Sequence, residues 1–137
     1  MPQAVYTSAK GIVQSAGTGL KITDGPVVLG SETVTDAGAA GPNVPLTLCV
    51  AGGTGGVVSV ADGTVAGQIK HFVHTANGGG TQTITPATPT GAWASAAVSI
   101  VGQTVSIMWD GAGWVLIGRT SGANQAQNAV AGLAVIA

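Results

Sequence analysis

Glycine and proline interrupt this chain at short intervals along its whole length. There are 23 glycines and six prolines among 137 residues, so only short elements fit between the breaks. The intervening runs are rich in Val, Ile and Thr, whose branched side chains suit a pleated, half-buried surface. Apolar residues do not recur at helical spacing through the central part of the chain. Short strands joined by turns predict an all-β fold, a compact antiparallel β-sandwich or β-barrel.

The clearest element is a hairpin. Thr104-Val105-Ser106-Ile107-Met108-Trp109 places Val105, Ile107 and Trp109 on one face. Asp110-Gly111-Ala112-Gly113 turns the chain, because Asp-Gly and a second glycine adopt positive φ at little cost. Trp114-Val115-Leu116-Ile117-Gly118-Arg119 returns, apolar enough to be buried on both faces or on one face plus a subunit contact. Ala97-Val98-Ser99-Ile100-Val101 precedes the hairpin through Gly102-Gln103, which predicts a three-strand antiparallel meander. Further strands are expected at Leu20–Thr23, Leu46–Val50, Gly56–Val60, Gln68–Thr75 and Thr81–Ile84. Thr85-Pro86-Ala87-Thr88-Pro89-Thr90 reads as a loop or edge, since proline cannot donate to a ladder.

Residues 1–18 and 120–137 have few large side chains and are rich in Ala, Ser, Gly, Gln and Asn. They are read as N- and C-terminal arms flanking a β domain at 19–119. The last eight residues, Val130-Ala131-Gly132-Leu133-Ala134-Val135-Ile136-Ala137, are apolar and uncharged, and such a tail is costly to leave in water. An arm lying on a neighbouring subunit would cover it by adding a strand there.

Charge narrows the function. Only 7 % of residues are charged, against about 25 % in an ordinary soluble domain. Lys10, Lys21, Lys70 and Arg119 are scattered, so no basic footprint for nucleic acid exists. A surface so poor in charge has little protection against self-association, and homo-oligomerisation is expected. Met1-Pro2-Gln3-Ala4-Val5 lacks a basic segment followed by an apolar stretch, and no run of about 18 apolar residues follows, so neither a secretory leader nor a membrane partner is expected.

Catalytic signals are weak. His71 and His74 are the only histidines; three apart on a strand, they point to opposite faces and cannot share a metal without distortion. Cys49 is the single cysteine and sits in an apolar run, as a buried inert thiol does. Asp24, Asp62 and Asp110 each precede glycine, which turn geometry explains, and Glu32 and Asp36 complete the five carboxylates without forming a pair. The glycine-rich segments 52–56 and 17–19 lack the lysine and helix of a phosphate cradle. No cofactor, metal or enzymatic activity is expected. Trp109 and Trp114 flank a tight turn and suit a cross-strand pair. Trp93, in a Gly/Ala-rich loop, is the tryptophan best placed for exposure and for stacking on a sugar. The interface candidates are Trp93 and, from the tail, Leu133, Val135 and Ile136.

Residues 81–121, with Thr83-Ile84-Thr85-Pro86 before a strand, Gly102-Gln103-Thr104-Val105 opening the next and a turn followed by Trp114 beginning the last, resemble the end of small structural proteins of tailed bacteriophages. The pattern is similar to that of head-decoration (cement) and fibre-associated proteins, and it spans about a third of the chain. The resemblance implies a homotrimer on the outer capsid surface of a virion, made in the host cytoplasm, that clamps joints between major capsid protein subunits. It transfers no catalytic residues. The alternative is a receptor-binding or adaptor module of a tail fibre or spike.

Overall fold

The structure, a computed structural model, describes residues 29–120, and every regular element within them is a β-strand. In chain order these are β1 (Ser31–Thr35), β2 (Gly38–Ala40), β3 (Leu46–Ala51), β4 (Gly55–Val60) and β5 (Ile69–Asn77). There follow β6 (Thr81–Pro86), β7 (Pro89–Thr90), β8 (Ala96–Val98), β9 (Thr104–Trp109) and β10 (Trp114–Arg119). They form a six-stranded sheet, β1-β3-β5-β9-β10-β7, and a four-stranded sheet, β2-β4-β6-β8, in a sandwich-like arrangement. The expected arm 1–18, the expected strand Leu20–Thr23 and all of the expected arm 120–137 except Thr120 lie outside the described residues.

The expectation of an antiparallel sandwich is corrected. Among the described residues five of the eight strand pairings are parallel, which makes both sheets mixed. The cause is the path of the chain. It alternates between sheets, β1 to β2, β3 to β4, β5 to β6, so each turn lays its strands beside those of the turn before, in the same direction. A hairpin would have reversed that direction.

The corners between sheets stack on one another. Asp36 turns the first with φ 55°, its amide donating to Val50 O at 2.8 Å. Its Oδ1 accepts from Gly52 N at 2.5 Å, tying the first corner to the second. Gly78 N donates to Ala51 O at 2.7 Å and Gly80 N to Gly52 O at 3.1 Å, tying the second to the third. Backbones approach so closely here that a Cβ on Gly80 would lie 2.1 Å from Gly55 N. The glycine-rich segments therefore serve corner stacking.

The expected three-strand meander is also corrected. Thr104–Trp109 and Trp114–Arg119 do form the hairpin β9–β10, with a bulge between Leu116 and Gly118. The strand before it, β8, belongs to the other sheet and pairs antiparallel with β6. Ile100 and Val101 lie in a turn in which Gln103 Oε1 accepts from Ser99 N at 2.7 Å and Ile100 N at 3.0 Å, and Gly102 has φ 91°. That turn carries the chain between sheets, and β9 pairs with β5 instead. Of the expected loop or edge Thr85–Thr90, Pro89-Thr90 is an edge, the short β7 beside β10, whereas Thr85 and Pro86 end β6, in register with Ser59 and Val60 of β4.

Between the sheets lies a core of Val58, Val60, Ile84 and Val98 from one side and Phe72, Val105, Ile107 and Trp114 from the other. Trp109 and Trp114 are register partners whose rings meet edge to face, centroids 5.5 Å apart. Trp114 Nε1 donates across the core to Ala61 O at 2.9 Å, pinning the hairpin to the end of β4.

Candidate assembly surface

Alternation along β3 runs opposite to that of a self-sufficient sandwich. Thr47, Cys49 and Ala51 are buried and point inward, while the larger Leu46, Leu48 and Val50 point outward and are only half-buried. The neighbouring β5 does the same. Lys70, Phe72 and His74 face the core; Ile69, His71 and Val73 face away from it. Met108 of β9 and Val115 of β10 extend the outer apolar surface in register with Ile69. Leu48 and Val73 are likewise register partners.

The rest of that outer face is uncharged. It carries Thr33 and Thr35 of β1, Thr104 and Ser106 of β9, and His71. His71 Nδ1 lies 2.8 Å from Ser106 Oγ, so the face's most polar side chain is already paired within it. The four-stranded sheet differs. Its outer face presents Ala39, Val57, Ser59, Thr83, Thr85 and Ala97, smaller and richer in hydroxyls.

The charges of this region are inside. Lys70 is fully buried and donates to Glu32 Oε1 at 2.9 Å, Gly41 O at 2.9 Å and Val44 O at 2.7 Å, using all three ammonium hydrogens. Glu32 accepts in addition from Gly41 N at 3.0 Å and Thr47 Oγ1 at 2.7 Å. Burial lowers the Lys70 pKa against the pull of Glu32, which raises it. For Glu32, burial raises the pKa, but Lys70, Gly41 and Thr47 together outweigh it and hold the carboxyl below its ordinary value.

Of the interface candidates from the sequence, Leu133, Val135 and Ile136 lie outside the described residues. Trp93 is half-buried, packs against the core and donates from Nε1 to Trp114 O at 3.0 Å. Its ring is engaged by the hairpin rather than standing free. His74 is buried on the inner face beside its register partner Cys49, and His71 sits on the outer face. Neither ring nitrogen of His74 has a hydrogen-bond partner among the described residues, nor does Gln82 Oε1. Burial pushes the Cys49 thiol up to about 11. Asp110 Oδ1 accepts from Ala112 N at 2.8 Å and Gly113 N at 2.7 Å, a turn role that holds its carboxyl below the usual range. Among the described residues no three His, Cys, Asp or Glu side chains gather to hold a metal ion.

A shallow open groove of about 690 Å³ runs across the carboxyl ends of β2, β4 and β6, lined by Ala40, Pro42, Val60, Pro86, Ala87 and Glu32. Glu32 is committed to Lys70, Gly41 and Thr47, so the groove offers little recognition chemistry. The outer face of the six-stranded sheet is the stronger feature. Sequence reasoning anticipated a subunit contact on β10 but missed the centre of the face, whose signal is the larger apolar residue at every second position of Leu46–Ala51. No known family model matches the chain, and a search of curated proteins finds no significantly similar sequence.

Proposed function

We propose that this protein is a non-enzymatic structural subunit of a symmetric assembly, and that the assembly is a virion whose outer capsid it decorates as a homotrimer. The observation that carries the first part is the half-exposed, uncharged outer face built on Leu46, Leu48, Val50, Ile69 and Val73. Contiguous apolar patches of that kind mark contact surfaces. The phage assignment rests on the likeness of residues 81–121 to small phage structural proteins. A decoration protein needs a rigid body with surfaces fitted to its neighbours. The stacked corners and the buried Lys70–Glu32 pair supply rigidity here. Binding only to the assembled shell would shift the shell's equilibrium toward assembly, and symmetry multiplies each weak contact.

Quantitative mass spectrometry of purified particles tests the reading. A decoration role predicts hundreds of copies per virion, comparable with the major capsid protein. A few dozen copies or fewer would transfer the protein to a tail fibre or spike, and absence from particles would overturn the virion reading.

A further inference from the structure

We infer that the outer face of the six-stranded sheet is where copies of this chain meet one another, with the four-stranded sheet turned away from the symmetry axis. This deepens the assembly reading and rests on it. Three observations favour a second copy as the occupant over a different protein.

The first is charge. Around a symmetry axis a residue near the axis meets its own copies, so any charge there is opposed by its like. The outer face of β1, β3, β5, β9 and β10 holds no Asp, Glu, Lys or Arg, and Lys70 and Glu32 of the same sheet are turned inward. A self-contact therefore carries no like-charge penalty.

The second is area. Five strands at about 4.8 Å spacing and six residues at about 3.3 Å rise give a face of roughly 24 by 20 Å. Three such faces turned to a common axis present roughly 1,400 Å² in all, above the roughly 1,000 Å² that a biological interface must clear.

The third is shape. Leu48 and Val73 stand side by side in register, as do Ile69 and Met108, forming apolar rows that neighbouring copies can cover around the axis. The polar pair His71–Ser106 lies between these rows and is satisfied within one chain, so burial leaves neither of those two hydrogen-bonding atoms orphaned.

The test is the solution mass of the full chain by light scattering after size exclusion, for the wild type and four substitutions, each checked for fold by circular dichroism and thermal unfolding. Leu48→Lys and, as a more exposed second choice should that variant not fold, Ile69→Lys place a charge on the proposed contact. Val57→Lys does so on the outer face of the other sheet, and Leu133→Lys does so in the tail. The inference predicts a wild type of three chains, collapse to one chain in the Leu48 and Ile69 variants, and no change in the Val57 variant. A wild-type multimer that survives both face substitutions, or that is broken by Val57→Lys or Leu133→Lys instead, overturns the inference while leaving the assembly reading in place. A monomeric wild type also overturns it. The assembly reading itself fails separately, on the copy number in particles.

Discussion

Lys70 Nζ lies 2.9 Å from Glu32 Oε1, joining the third turn of the chain to the first through a side chain with no solvent exposure. The two partners are not equivalent. Among the described residues Lys70 depends on Glu32 for its only counter-charge, whereas Glu32 is about a quarter exposed and keeps Gly41 N and Thr47 Oγ1 if Lys70 is removed. Glu32→Gln is therefore expected to cost about 3 kcal/mol or more, because it strands a buried ammonium. Lys70→Met should cost distinctly less. Urea denaturation of both variants decides, and equal losses would contradict the asymmetry.

The same pair contributes to the loss of stability in acid. The Glu32 carboxyl is held below its ordinary value of 4.5, so the folded state binds its proton less readily than the unfolded chain does. Its contribution is fully present above that ordinary value and is lost as pH falls through the lower folded value. Thermal midpoints measured downward from pH 6 should fall across that window, and Glu32→Gln should flatten the slope.

Cys49 has no solvent exposure, and burial raises its thiol to about 11. Its reaction with a thiol reagent at pH 8 should be undetectable in the native protein and complete in urea. At low denaturant the labelling rate should follow global unfolding. Rapid native labelling would mean that β3 opens locally.

His74 is buried with neither ring nitrogen hydrogen-bonded among the described residues. Unmet polar groups of this kind cost about 1–3 kcal/mol. Replacement by an apolar side chain of similar volume, His74→Leu, should leave stability unchanged or raise it by about 1 kcal/mol. A loss above about 2 kcal/mol would show that the imidazole makes a bond essential to the fold.

Trp114 combines an edge-to-face contact with Trp109, a hydrogen bond to Ala61 O and full burial. Trp114→Ala is expected to cost about 3–5 kcal/mol, enough to unfold a marginal domain. Trp114→Phe should cost less and quench the blue-shifted part of the native fluorescence.

The hairpin β9–β10 was legible because alternation and turn chemistry are local: Val105, Ile107 and Trp109 share a face, and Asp110-Gly111 marks the reversal. The parallel winding was not, since nothing in Gly52-Gly53-Thr54 says whether the chain will double back or cross to a second sheet. Ser31–Thr35 and Gly38–Ala40 escaped notice because their small, polar residues carry little apolar signal; they become strands by pairing with β3 and β4. The Lys70–Glu32 pair spans 38 positions, a separation no local pattern reports. The outer face was half legible. Its alternation is plain in Leu46–Ala51, but a strand pattern does not say which set faces the core, and here the smaller set does.

The self-contact through the outer face of the six-stranded sheet stands or falls on the solution mass of the purified wild-type protein. A single species of three times 13.2 kDa, stable on dilution, is expected. A species of 13.2 kDa that stays monomeric at high concentration would contradict it.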